Sequence, residues 1–101
     1  MASNKMRPIH PGEILREEYL APLGMSANAL AMALHVPAPR INDVVRERRA
    51  VTPDTALRLA RYFDTTAQFW LNLQSSFDLK RAESEAGELI AEEVRPLQRA
   101  A

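Results

Sequence analysis

Residues 26–46 read SANALAMALHVPAPRINDVVR, and the spacing of their apolar side chains decides the fold class. Ser26 stands where a helix N-cap belongs, because its hydroxyl can accept a bond from a free N–H of the first turn. Leu30, Ala33 and Leu34 then recur at helical spacing, while Ala27, Ala29 and Ala31 keep that helix slim. The tripeptide His35-Val36-Pro37 interrupts the pattern, since the residue before a proline is driven out of the helical region. A second helix is predicted from about Ala38 to Arg46, with Ile41, Val44 and Val45 on its inner side at i, i+3 and i+4. Two short amphipathic helices across so tight a break form a helix-turn-helix pattern.

The same periodicity extends outward. Upstream, Pro11 and Gly12 close an extended arm, and Ile14, Leu15, Tyr19 and Leu20 make an apolar stripe that Pro22 and Gly24 terminate. Downstream, Thr52-Pro53-Asp54 has the parts of a helix start: a capping hydroxyl, a proline where no N–H is needed, and an anion at the positive helix end. Leu57, Ala60, Tyr62 and Phe63 are expected to face inward from that helix. Thr65 and Gln68 have the spacing of a capping box for a fifth helix carrying Phe69, Trp70, Leu73 and Phe77. Beyond Asp78, Leu89, Ile90 and Val94 permit either an extension of that helix or a short sixth, ended by Pro96. The expected architecture is all-α: an N-terminal arm (1–11), a five-helix helix-turn-helix domain (12–79) and an acidic helical tail (80–101).

Composition removes several function classes. The chain has no cysteine, which excludes disulfide scaffolds, cysteine-ligated zinc and thiol catalysis and suits a reducing cytosol. No apolar run approaches the roughly 20 residues of a membrane span. The segment MASNKMRPIH lacks the apolar core of a signal peptide, so a cytoplasmic location is expected. His10 and His35 lie on separate segments without metal-ligand spacing, and all three glycines are isolated, so no phosphate loop is present. With no catalytic pair in the sequence, neither a metal, a cofactor nor an enzymatic activity is expected.

Thirteen basic and thirteen acidic residues cancel, but they are not evenly spread. Between Arg40 and Arg61 six arginines face Asp43, Glu47 and Asp54, whereas Asp78 to Arg95 holds six acidic residues against Lys80, Arg81 and Arg95. A basic middle on a neutral chain is the footprint of a modest nucleic-acid contact. The second helix of a helix-turn-helix shows base-contacting groups at its N-terminal outer positions. Here those are Ala38, Pro39, Arg40, Asn42, Asp43 and Arg46. Arg40 is suited to bidentate pairing with guanine, Asn42 to adenine or a phosphate, and Ala38 and Pro39 to a thymine methyl. Arg46, Arg48 and Arg49 follow the helix, on the side of a passing phosphate backbone. Ser26, primarily a cap, completes the DNA-facing set. Pattern alone leaves a second reading open, in which an amphipathic pair packs in some other all-α domain and its arginines are merely solvated.

The segments HPGEIL, LREEYLAPLGMSANALAMAL, VPAPRIND, RRAVTPDTALRLARYF and AQFWLNLQ, in this order over roughly residues 8–79, resemble the HigA-type antitoxins of bacterial toxin–antitoxin modules. These belong to the Xre, or Cro–lambda-repressor-like, helix-turn-helix proteins. The resemblance implies a five-helix, lambda-repressor-like domain that forms a homodimer, binds double-stranded operator DNA, represses its own operon and neutralises an mRNA-cleaving HigB-type toxin. It further implies that the fifth helix borders the dimer interface, with Phe69, Trp70, Leu73 and Phe77 as candidate contacts; Trp70 and Phe77 share one stripe, whereas for Phe69 and Leu73 a plain core is the favoured reading. Two positions depart from the pattern: His35 and Glu47 stand where many relatives have glycine, at points where a left-handed backbone is eased by its absence of a side chain. Glu47 also puts an anion beside the phosphate path, which should weaken affinity. The acidic tail reads as a solvated helix end or as a contact for a basic toxin. Two other functions suit the same residues: a stand-alone Xre-type transcriptional regulator without a toxin partner, and a protein-interaction domain that has lost DNA binding.

Overall fold

A helix can end only if its last carbonyls find new partners, and this chain solves that problem the same way four times. The computed structural model describes residues 7–98. Within them α1 runs without a break through an opening turn (Pro11–Ile14), a π-helical stretch (Leu15–Leu20) and a closing turn (Ala21–Leu23). It is followed by α2 (Ala27–Leu34), α3 (Ala38–Val45), α4 (Pro53–Phe63) and α5 (Ala67–Glu93). The first four end on a residue in the left-handed region: Gly24, His35, Glu47 and Asp64, at φ of 61°, 59°, 63° and 57°. In each case the following N–H reaches back five residues, as in Met25 to Leu20, Val36 to Ala31, Arg48 to Asp43 and Thr65 to Ala60. This is the Schellman closure, which satisfies the orphan carbonyls and reverses the chain. Only one of the four sites has the glycine that makes the conformation free of steric cost.

The helix starts are equally explicit. Ser26, Thr52 and Thr66 hydroxyls accept from the N–H groups of Ala29, Thr55 and Phe69. The capping box expected at Thr65 and Gln68 does not form. The closure at Asp64 uses Thr65 as its return residue and moves the cap to Thr66, while the Thr65 hydroxyl accepts from Trp70 Nε1 at 2.9 Å. Gln68 instead bonds Asn72.

The core is formed by Leu15, Leu20, Leu30, Ala31, Leu34, Ile41, Val44, Val51, Ala56, Leu59 and Trp70. Ala31, Ala56 and Leu59 take inner places expected for Ala33, Leu57 and Tyr62, which are exposed. The reason is rotational: Ala56, Leu59 and Phe63 fall at i, i+3 and i+7, and Leu57 is turned about 100° away from Ala56. Gln74 is buried because its side-chain oxygen accepts the Val51 N–H at 2.8 Å, tying the loop before α4 to α5.

The boundary expected at 79/80 falls inside α5, where the helix leaves the body rather than breaking. At 27 residues α5 spans about 40 Å. Its exit explains a radius of gyration of 17.2 Å, against about 13 Å for a compact chain of this length. The tail is helical only to Glu93; Val94 is already extended, two residues before Pro96. Residues 1–6 of the arm and 99–101 of the tail lie outside the described residues, and helix begins at Pro11 within the expected arm.

Candidate nucleic-acid interface

The second helix of the motif is anchored from three sides. Ile41 and Val44 are fully buried, and Val45 is half-buried against the same core. At its C-terminal end the Arg16 guanidinium donates to the Val45 carbonyl oxygen and pairs with Glu47 at 3.2 Å. The π-helical stretch of α1 carries Arg16 to this point, 29 residues away in sequence from Val45. From the other side the N-terminus of α1 closes on α3 so tightly that no side chain fits between them. A Cβ on Gly12 would stand 1.8 Å from the Val44 carbonyl oxygen. The HPGE opening therefore has a physical meaning. His10 Nδ1 caps α1 by accepting the Gly12 N–H at 2.8 Å, Pro11 occupies the first helical position, and Gly12 permits the contact. His10 is almost wholly buried and stacks edge-on against Phe77 at 4.8 Å. Burial holds its pKa below the usual histidine range, outweighing the opposite pull of Glu47 and Asp78.

The outward side of α3 carries the expected polar row. Arg40 pairs with Asp54 at 2.5 Å across the gap to α4. Asn42 donates to Asn28 Oδ1 at 2.7 Å and to the Ala38 carbonyl at 3.0 Å, so its amide is held against α2. Asp43 meets Arg49 at 3.5 Å. Arg46 and Arg48 are exposed and form no ion pair among the described residues. Pro39 is exposed; Ala38, expected outward, is half-buried against the core. Ser26 spends its hydroxyl on the α2 cap.

Four contributors were not assigned to this surface from the sequence: Arg16, Asn28, Arg58 and Asp54, the last read only as an anion at a helix start. Asp54 and Arg58 pair at 2.9 Å one helical turn apart, a spacing visible in the sequence. Hydrogen bonds from Arg58 first and Arg40 second hold the Asp54 carboxyl below the usual carboxylate range. Nothing in the sequence announces the reach of Arg16 to Glu47 or of Asn42 to Asn28.

The four candidate dimer contacts separate on exposure. Trp70 has no exposed surface: it is enclosed by its own chain, with its ring 5.2 Å from Tyr19, and has nothing to offer a second copy. Phe69 is 37% exposed, while Leu73 and Phe77 are half-buried. No group of acidic, histidine or cysteine side chains able to hold a metal occurs among the described residues, and none of their helices is long and apolar enough to cross a membrane.

An all-helical body with a buttressed outward helix and a basic rim defines a helix-turn-helix protein. Residues 15–70 match the family described as "Helix-turn-helix", to which the chain belongs. It is 65% identical over 82 residues to virulence-associated protein I of Dichelobacter nodosus, covering 81% of this chain and 76% of that protein. It is 35% identical over 79 residues to antitoxin HigA-1 of Vibrio cholerae, covering 78% of this chain and 74% of that one. Its structure is similar to that of Pseudomonas aeruginosa antitoxin HigA with the higBA promoter, at a TM-score of 0.89 and 55% identity, covering 91% of this chain and 100% of that one. Within the helix-turn-helix class, the chain is a member of the HigA antitoxin family, which is a family of regulators and antitoxins rather than of enzymes.

Proposed function

We propose that this protein is a cytoplasmic, sequence-specific DNA-binding antitoxin that represses its own operon and neutralises a HigB-type, mRNA-cleaving toxin. The observation that carries the DNA part is the division of α3: Ile41 and Val44 wholly buried, with Arg40, Asn42, Asp43 and Arg46 on the polar side. Arg40 and Asn42 read bases in this scheme, while Arg46, Arg48 and Arg49 meet phosphates. The ion pair with Arg16 answers the difficulty posed by Glu47, because the anion beside the phosphate path is partly balanced within the protein. The toxin part rests on family membership and on no feature of this chain's surface.

The working unit is a homodimer that presents two α3 helices about 34 Å apart to a palindromic site. Phe69, with the half-buried Leu73 and Phe77 further along the same helix, is the contact surface in this scheme; α5 also exposes Leu79, Leu89 and Ile90.

A salt-titrated binding assay on the DNA directly upstream of the protein's own gene tests the DNA reading. A shift that outlasts competition by unrelated DNA supports it, and equal binding to both duplexes refutes it. Co-purification with the product of the adjacent gene tests the toxin. A purified protein that binds the upstream duplex but retains no neighbouring gene product would indicate a stand-alone regulator.

A further inference from the structure

Asp54 lies outside the helix-turn-helix, in the first turn of α4, yet one of its carboxylate oxygens holds two guanidinium groups. Arg40 Nη1 is at 2.5 Å and Arg58 Nε at 2.9 Å from the same Oδ2. The other arm of Arg58 donates to the Leu34 carbonyl at 2.8 Å, at the free end of α2. A connected path therefore runs from the end of α2 through Arg58 and Asp54 to the only arginine in the first turn of α3. Arg40 is 31% exposed on its side chain, so it is neither buried nor loose.

We infer that Asp54 is a specificity-determining positioning residue, which holds Arg40 for a base edge and keeps it from phosphates. This rests on the DNA-binding reading above. A guanidinium has five N–H donors in a rigid fork, so one arm anchored on Asp54 leaves donors for guanine O6 and N7. An unanchored arginine loses more rotamer freedom on binding and can settle on a phosphate, which every sequence offers. The Asp54 charge meanwhile repels phosphates and lowers affinity for all DNA alike. Its two effects thus differ in kind: positioning favours one sequence, and repulsion is indifferent to sequence.

The test uses the full chain, a duplex from directly upstream of its own gene, and a scrambled duplex of equal composition, over a salt series. Asp54→Asn keeps the side-chain shape and removes the charge; Asp54→Ser, a good residue for a helix start, serves if the first variant folds poorly. Binding to the scrambled duplex is expected to tighten, while the ratio of upstream to scrambled affinity falls about two- to tenfold, the cost of ordering one flexible side chain. The lost discrimination should map to one base-pair position, and in an Arg40→Ala background Asp54→Asn should leave the ratio unchanged. An unchanged ratio in the single variant overturns the inference, as does an equal fall with and without Arg40, because a merely structural role would act without that arginine. If the wild-type chain does not prefer the upstream duplex, the DNA-binding reading fails, and the role of Asp54 fails with it.

Discussion

Replacing Gly12 by alanine should destabilise this protein severely, although in most helices the same change is neutral or helpful. The new Cβ would lie 1.8 Å from the Val44 carbonyl oxygen, 2.9 Å from its carbonyl carbon and 3.0 Å from His10 Nδ1. A tolerable carbon–oxygen contact is about 3.3 Å, so α1 and the end of α3 must separate by roughly 1.5 Å. Both clashing partners on Val44 are backbone atoms in the core, and no rotamer change relieves them. Overpacking typically costs about 1–3 kcal/mol even where side chains can adjust, so the upper end, about 3 kcal/mol, is expected. For a domain of this size that lowers Tm by about 12 °C or more.

Gly87→Ala is the internal control. That glycine also lies inside a helix, but its Cβ would meet nothing within 4 Å. Helix propensity alone then operates, and the helix gains about 0.5–1 kcal/mol. Far-UV circular dichroism melts of the two variants should diverge in sign: Gly12→Ala loses stability, and Gly87→Ala gains helicity without a fall in Tm. A Gly12→Ala protein melting within about 2 °C of wild type would refute the close approach and with it this account of the HPGE motif.

Other perturbations address the site. Arg40→Ala should cost about 1–3 kcal/mol in binding to the upstream duplex and relax selectivity at one position, whereas Arg48→Ala should weaken all duplexes alike and flatten the salt dependence by about one unit. Identical behaviour of the two across single-base variants would contradict the division of roles. Glu47→Gly removes an anion from the phosphate side and relieves a left-handed residue at φ 63°, so binding to any duplex should tighten and stability should not fall by more than the lost exposed ion pair, about 1 kcal/mol. His10 supplies a pH dependence. Its pKa is lowered by folding, so the unfolded chain takes up a proton first as pH falls below about 6.5, and stability is full above that value and lost beneath it. The loss is at most about 1.4 kcal/mol per pH unit, and His10→Asn, which keeps a cap acceptor without the titration, should flatten the profile between pH 7 and 5 in chemical denaturation.

Helix identity was legible in this sequence wherever the signal was local. The Ser26 and Thr52 caps, Pro53 at the first helical position and the buried pair Ile41 and Val44 follow from residue type and spacing, and all stand in the structure. Expectations failed where one rule met a competing demand on the same residue. Thr65 has capping-box spacing, but the closure at Asp64 claims it and Trp70 takes its hydroxyl. Trp70 is a candidate interface residue through the family resemblance, yet it is wholly buried, with the Tyr19 ring of α1 and the Phe69 ring of its own helix packed against it.

The outer face was harder, because its geometry is set by partners far away in sequence. The sequence reading assigned Arg40 and Asn42 to bases as though each stood alone in solvent. In the structure both side chains are held before any ligand arrives, Arg40 by Asp54 and Asn42 by Asn28. Their availability to DNA is thus governed by α2 and α4, and a substitution in either helix can alter recognition without touching a base. Glu47 carries the same lesson in reverse. Read locally it is a misplaced charge in a place that suits glycine. In the fold its carboxylate meets Arg16, whose other arm holds the Val45 carbonyl, so the residue helps fix the end of the helix it follows. Its cost to phosphate binding and its contribution to holding α3 come from the same carboxylate. A glycine there would be free of strain and of charge, and would leave Arg16 with the Val45 carbonyl as its only hold on α3.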